Sequence, residues 1–115
     1  MRYTKKNVAI IEDISLHDYE MLNVEIDYFQ KSLEIELKSP QGKRILIKTK
    51  RLYYLIVEGN EPWGEGGYVH ELKPIVDGVG SELGLTNKEV FGIYILVNSG
   101  DKIILYTKEL EFQET

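Results

Sequence analysis

Two histidines are the only imidazoles in the 115-residue chain, and a carboxylate follows each. One pair is His17-Asp18, in the run Ser15-Leu16-His17-Asp18; the other is His70-Glu71. An imidazole beside a carboxylate is a pairing used both to ligate divalent metals and to move protons near neutral pH. Neighbouring residues of an extended strand point to opposite faces, however, so His17 and Asp18 can act on one group only if they lie in a bend. His70 and Glu71 face the same restriction, and a four-residue site also requires two distant segments to meet. The simpler expectation is a histidine that hydrogen-bonds backbone at a strand entry, with no metal ligand set and no cofactor.

Other catalytic arrangements are weaker still. The five serines, at 15, 32, 39, 81 and 99, lie outside any G-x-S-x-G elbow, and the absence of cysteine removes the thiolate nucleophile, the thiolate zinc site and the disulfide framework. Glu34 and Glu36 share the i, i+2 spacing of an ordinary solvated strand face. Gly64-Glu65-Gly66-Gly67 does not open a helix, so it lacks the context of a phosphate loop. A non-enzymatic role is therefore expected. The unusual feature is Glu61-Pro62-Trp63-Gly64: a lone tryptophan between proline and glycine either pins its loop to the core or contacts a ligand. Tyr53, Tyr54 and Tyr68 could extend such a surface toward a carbohydrate or peptide. His17, Asp18, Glu61, Trp63 and Tyr68 are thus the binding candidates.

The elements that must position these residues are strands. A single alanine stands against 12 aromatics, and Ile and Val are abundant, which favours a pleated surface over a helical one. Leu22, Val24, Ile26 and Tyr28 alternate with polar residues; Leu33, Ile35 and Leu37 do so after a turn at Gln30-Lys31-Ser32. Ser39-Pro40-Gln41-Gly42 predicts a second turn, and Ile45, Ile47 and Thr49 a third strand. In this meander Leu22, Val24, Ile26, Leu33, Ile35, Ile45 and Ile47 are expected to face one core. Leu52 to Val57 is apolar on both faces and is expected to be a central, doubly covered strand. Tyr68 to Leu72 predicts a strand that Pro74 limits, Val90–Val97 and Lys102–Thr107 a strand pair, and Leu110 with Phe112 a short edge strand. Residues 7–14 fit either a strand or a short helix, and Thr86 with Glu89 matches a capping box for a single helical turn. The expected fold is mostly β: one domain over residues 1–115, an antiparallel meander forming a sandwich or half-barrel, with at most one or two short helical segments.

The formal charge of −5 and isoelectric point near 5.1 argue against a phosphate-backbone binder. Lys43-Arg44, Lys48 and Lys50-Arg51 form a basic cluster, and Arg44, Lys48 and Lys50 are expected to face solvent without binding nucleic acid. No apolar run reaches the length of about 18 residues that spans a bilayer, and the four apolar residues after the basic start are too few for a signal peptide. A cytoplasmic location away from membranes is the default expectation; the oligomeric state stays open.

Ser-Leu-His-Asp at 15–18, the alternating meander, Glu-Pro-Trp-Gly at 61–64 and the aromatic-containing strand after it together resemble a group of small bacterial β-domain proteins. That group includes uncharacterised families and immunity proteins of polymorphic toxin systems. The resemblance covers roughly residues 14 to 75. It implies stoichiometric binding to a cognate protein toxin rather than catalysis, and complementary charge suits an acidic inhibitor to a basic toxin. Two other readings remain: a ligand-binding module using the Trp63 loop, and a metal-dependent hydrolase using His17 and Asp18.

Overall fold

The computed structural model describes residues 1–13, 16–59, 67–76, 90–98 and 100–114. Within them the chain forms β1 (Arg2–Tyr3), a 3₁₀ turn (Val8–Asp13), β2 (Glu20–Asp27), β3 (Ser32–Lys38), β4 (Arg44–Thr49), β5 (Leu52–Glu58), β6 (Val69–Ile75), β7 (Phe91–Val97), β8 (Lys102–Thr107) and β9 (Leu110–Glu114). Two antiparallel sheets result, ordered β1-β9-β4-β3-β2 and β5-β8-β7-β6, so the chain is a mostly β sandwich. Among the described residues no helix is long and apolar enough to cross a membrane. Glu61 and Trp63, and the Thr86–Glu89 pattern, lie outside the described residues.

The meander follows the period-two pattern. Ile35 stands between Val24 and Ile47, and Leu37 opposite Ile45, so one face of three strands carries the apolar set. Leu33, Ile35 and Leu37 are fully buried, each contributing about 1.5–3 kcal/mol relative to exposure. At the second turn Gly42 takes φ 90°, which glycine adopts without a Cβ penalty, and the buried Ser39 accepts from the Lys43 amide through its hydroxyl at 3.0 Å. The first turn falls two residues earlier than expected, at Tyr28–Lys31, because Asp27 Oδ1 accepts from the Gln30 amide at 3.0 Å and Lys31 adopts φ 53°. On the outer face, Arg44 and Lys48 pair with Glu36 at 2.8 Å and Glu34 at 3.7 Å; Arg44 and Lys50 are exposed and Lys48 half-buried.

Other expectations are corrected as well. Leu22 is 38% exposed because the β2–β3 register shifts between Met21 and Asn23, placing Leu22 in a bulge. Ile26 is equally exposed because no described strand covers the far end of β2. Leu52–Glu58 is an edge strand, not a central one. Its two apolar faces have separate causes: Leu52 and Leu55 pack on the core, while Tyr54 stands beside Tyr106 and Ile56 beside Ile104 on the outer face of the sheet. Finally, β9 is not at the edge, since β1 pairs with its free side through Arg2–Glu111 and Tyr3–Leu110.

The 3₁₀ turn resolves residues 8–13. Val8 and Ile11, three apart and therefore on one side of a 3₁₀ turn, are completely buried, whereas Ile10 is exposed. The second sheet continues the core through Phe91, Ile93, Ile95, Ile103 and Leu105. Pro74 sits within β6 and the strand runs on to Ile75; proline is tolerated because β6 ends its sheet.

Candidate functional site

The two histidine segments meet at one corner of the sandwich. The Asp18 amide donates to the Val69 carbonyl at 2.9 Å, the Val69 amide to Tyr19 at 2.8 Å and the Met21 amide to Gly67 at 2.7 Å. This short antiparallel ladder joins the start of β2 to the start of β6. The bend that a shared His17–Asp18 site requires is present: Asp18 adopts φ 70°, and its Oδ2 lies 3.2 Å from His17 Nδ1. His70 occupies a bulge in β6, where the register shifts between Val69 and Glu71, and its ring centroid stands 5.6 Å from that of His17. Glu71 does not converge with them; it pairs with Lys73 at 2.7 Å.

Three of the four residues of the hypothetical site therefore come together. The His17 and Asp18 side chains are more than half exposed, so their pairing contributes little to stability. Among the described residues no group of three His, Asp or Glu side chains is arranged to hold a metal ion. Tyr68 flanks the corner, 43% exposed; its carbonyl accepts from the Asn98 amide at 2.9 Å and its own amide donates to Asn98 Oδ1 at 3.3 Å.

A second locus, which the sequence reading did not single out, lies on the open side of the sandwich between β2 and β5. Both strands end their sheets there. The Leu52 amide donates to the Lys31 carbonyl at 2.9 Å, which brings the Tyr28–Lys31 turn against the start of β5. A groove of about 380 Å³ opens between them, lined by Ile26, Tyr28, Lys31, Leu52, Tyr53 and Leu55. At its head Tyr28 is 77% exposed and Phe29 96% exposed, and Val57 and Tyr53 are exposed along β5. Two adjacent aromatics at a turn cannot both reach a core; that adjacency, beside the turn-forming Asp27, is the sequence signal for this surface. Asp27 also lines the groove, and Glu25 precedes it on the exposed outer face of β2, where Asn23 Nδ2 donates to Glu25 Oε1 at 3.1 Å.

Among the described residues the architecture is an antiparallel two-sheet β sandwich. The same fold occurs in the crystal structure of an uncharacterized protein from Neisseria gonorrhoeae, which aligns with a TM-score of 0.58 over 98% of this chain and 97% of that one. The two sequences are 10% identical, so the likeness is one of fold alone. No protein-family model and no curated protein matches the chain.

Proposed function

We propose that the chain is a non-catalytic protein-binding domain that docks a partner on its open side, and that the partner is a bacterial toxin it neutralises in the cytoplasm. The observation that supports this reading is the exposure of Tyr28, which lines the groove, and the near-complete exposure of Phe29 beside it. Rings this exposed add little to folding, Tyr28 through the Lys31 amine 5.7 Å from its ring centre, and aromatic anchors beside a pocket dominate protein interfaces. The exposed carboxylates of Asp27 in the groove and Glu25 beside it on β2 suit a basic partner surface, accelerating encounter. The outer main-chain edges of β5 and of the far end of β2, beyond the ladder to Gly67–Val69, offer further hydrogen bonds to it.

The test is co-expression and affinity measurement with the product of an adjacent gene. Phe29→Ser and Tyr28→Ser are expected to leave stability within about 0.5 kcal/mol, since neither ring is buried. Each is expected to weaken binding by at least about tenfold, the loss of a 1.4 kcal/mol contact. Binding unaffected by both substitutions removes the open side as the interface. Substrate turnover abolished by His17→Ala would reject the reading altogether, in favour of the hydrolase.

A further inference from the structure

On the side of the molecule where the N-terminal segment meets the β4–β5 and β8–β9 turns, a groove of about 530 Å³ is lined by Thr4, Lys5, Lys6, Lys50, Arg51, Lys108 and Glu109. Five of the chain's 14 cationic residues thus surround one cavity in a protein whose net charge is −5. The one carboxylate in the lining, Glu109, is engaged by Arg2 at 3.4 Å, and Lys5, Lys6, Lys50 and Arg51 have no ion pair among the described residues. Glu111 acts on Lys50 from β9, which leaves Lys5, Lys6 and Arg51 without a carboxylate partner among the described residues. Cations held together in this way repel one another, and an anion in the groove relieves that repulsion.

The fold itself assembles this groove. The buried Thr107 hydroxyl lies 3.0 Å from the Arg51 carbonyl and 3.2 Å from the Glu109 carbonyl, and accepts from the Glu109 amide at 3.4 Å. It thereby holds the turn carrying Lys50 and Arg51 against the turn carrying Lys108 and Glu109. The Arg2–Glu109 pair and the β1–β9 ladder bring Lys5 and Lys6 to the same place. Lys108 also lies 5.8 Å from the centre of the Tyr53 ring.

We infer that this groove is a binding site for a compact polyphosphate group, a phosphoanhydride chain either free or carried on a nucleoside. A single carboxylate or sulfate matches one or two of the cations. Three or four negative charges spaced along a short chain match the set, and Arg51 can grip one phosphate bidentately while the lysines act as point charges. The volume is that of a small-molecule site, on the order of 300–1,000 Å³, and the cationic lining is confined to it. A duplex backbone, by contrast, needs a basic face extending over several phosphates, and the Arg44–Glu36 and Lys48–Glu34 pairs neutralise the adjoining strand face.

Isothermal titration with sodium tripolyphosphate, ATP and sodium sulfate, at low and physiological salt, tests the assignment. Tripolyphosphate is expected to bind below 1 mM and raise the melting temperature, sulfate to bind at least tenfold more weakly, and affinity to fall with salt. ATP binding as tightly as tripolyphosphate points to the phosphate chain alone as the recognised group; tighter ATP binding identifies a nucleoside-borne chain. Lys50→Ala/Arg51→Ala and Lys5→Ala/Lys6→Ala should each lower affinity at least tenfold with unchanged circular dichroism. Lys38→Ala/Lys43→Ala, at the far turn, should leave it within twofold. Equal loss in all three variants, sulfate binding as well as tripolyphosphate, no binding at 1 mM, or tighter binding of duplex DNA than of tripolyphosphate overturns the inference.

Discussion

Thr107→Val removes one hydroxyl at the junction of both sheets, and the structure indicates what that costs. Thr107 on β8 is fully buried and its Oγ1 hydrogen-bonds to Oγ1 of Thr49 on β4, itself only 2% exposed. It also reaches the Arg51 carbonyl and both backbone groups of Glu109. Valine keeps the shape and leaves the Thr49 hydroxyl buried without that partner, a penalty of about 1–3 kcal/mol, on top of one lost bond worth about 1 kcal/mol. The Arg51 carbonyl is less costly, because that exposed turn admits water. Thr107→Val should therefore destabilise by about 2–4 kcal/mol, on the order of 10 °C in melting temperature for a domain of this size. Thr49→Val should cost only about 0.5–1.5 kcal/mol, since Thr107 retains the Arg51 carbonyl as acceptor. The double variant should be less destabilised than the sum of the two, with a coupling of about 1 kcal/mol measured by urea denaturation in a double-mutant cycle. Additive single effects, or Thr107→Val within 0.5 kcal/mol of the parent in the same experiment, would falsify the account of this hydroxyl as the tie between sheets.

Three further outcomes follow from local geometry. A Cβ at Gly92 would lie 2.9 Å from two ring carbons of Tyr106, which stacks on Tyr54 at 5.1 Å, so Gly92→Ala should cost about 1–3 kcal/mol and alter the tyrosine near-ultraviolet dichroism. Adding Tyr106→Ala should recover part of that loss; no recovery would refute the steric cause. Because Asp18 sits at φ 70°, Asp18→Asn should be nearly neutral and Asp18→Val should cost about 1–2 kcal/mol in thermal denaturation, and equal effects would argue against backbone strain. Glu111 is held below the usual carboxylate range, chiefly by the Gln113 side-chain amide donating at 2.7 Å, with Arg2, Lys50 and the N-terminal amine adding. A depressed folded-state pKa stabilises above the unfolded value and is lost as pH falls through the folded one. Gln113→Ala should thus raise the Glu111 pKa in an NMR titration, with a stability deficit present at neutral pH that vanishes below the carboxylate range.

The meander was legible because β3 and β4 bury one face only, which turns burial directly into period-two alternation at Leu33, Ile35, Leu37, Ile45 and Ile47. The edge position of β5 is hidden for a different reason. Whether an apolar outer face is covered or shared with neighbours such as Ile104 and Tyr106 depends on pairings that the strand's own residues do not encode. Leu22 leaves the core face through a one-residue bulge, which leaves no trace in composition. The corner joining His17, Asp18 and His70 depends on two backbone events, the positive φ at Asp18 and the bulge at His70, so residue types alone could suggest the site but not assemble it. The cationic groove was hidden for a third reason: Lys5, Lys6, Lys50, Arg51 and Lys108 come from three segments far apart in sequence, and net charge averages over them.

Net charge describes the far field, and a groove a few ångströms across is governed by its nearest groups, since salt screens beyond about 8 Å at physiological strength. An acidic chain can therefore carry a cationic site, and the two proposed surfaces are connected through their fields. Tripolyphosphate in the groove cancels the positive charge of Lys5, Lys6, Lys50 and Arg51 and makes the whole molecule more acidic. A basic partner approaching Glu25 and Asp27 on the open side is then steered more strongly. The expected result is a faster association rate with tripolyphosphate bound, at low salt only, and an unchanged dissociation rate, because no contact at Tyr28 or Phe29 is altered. Stopped-flow association at two ionic strengths measures both rates. An acceleration that persists at high salt, or a change in dissociation rate, would mean that the groove and the open side communicate through the fold rather than through the field.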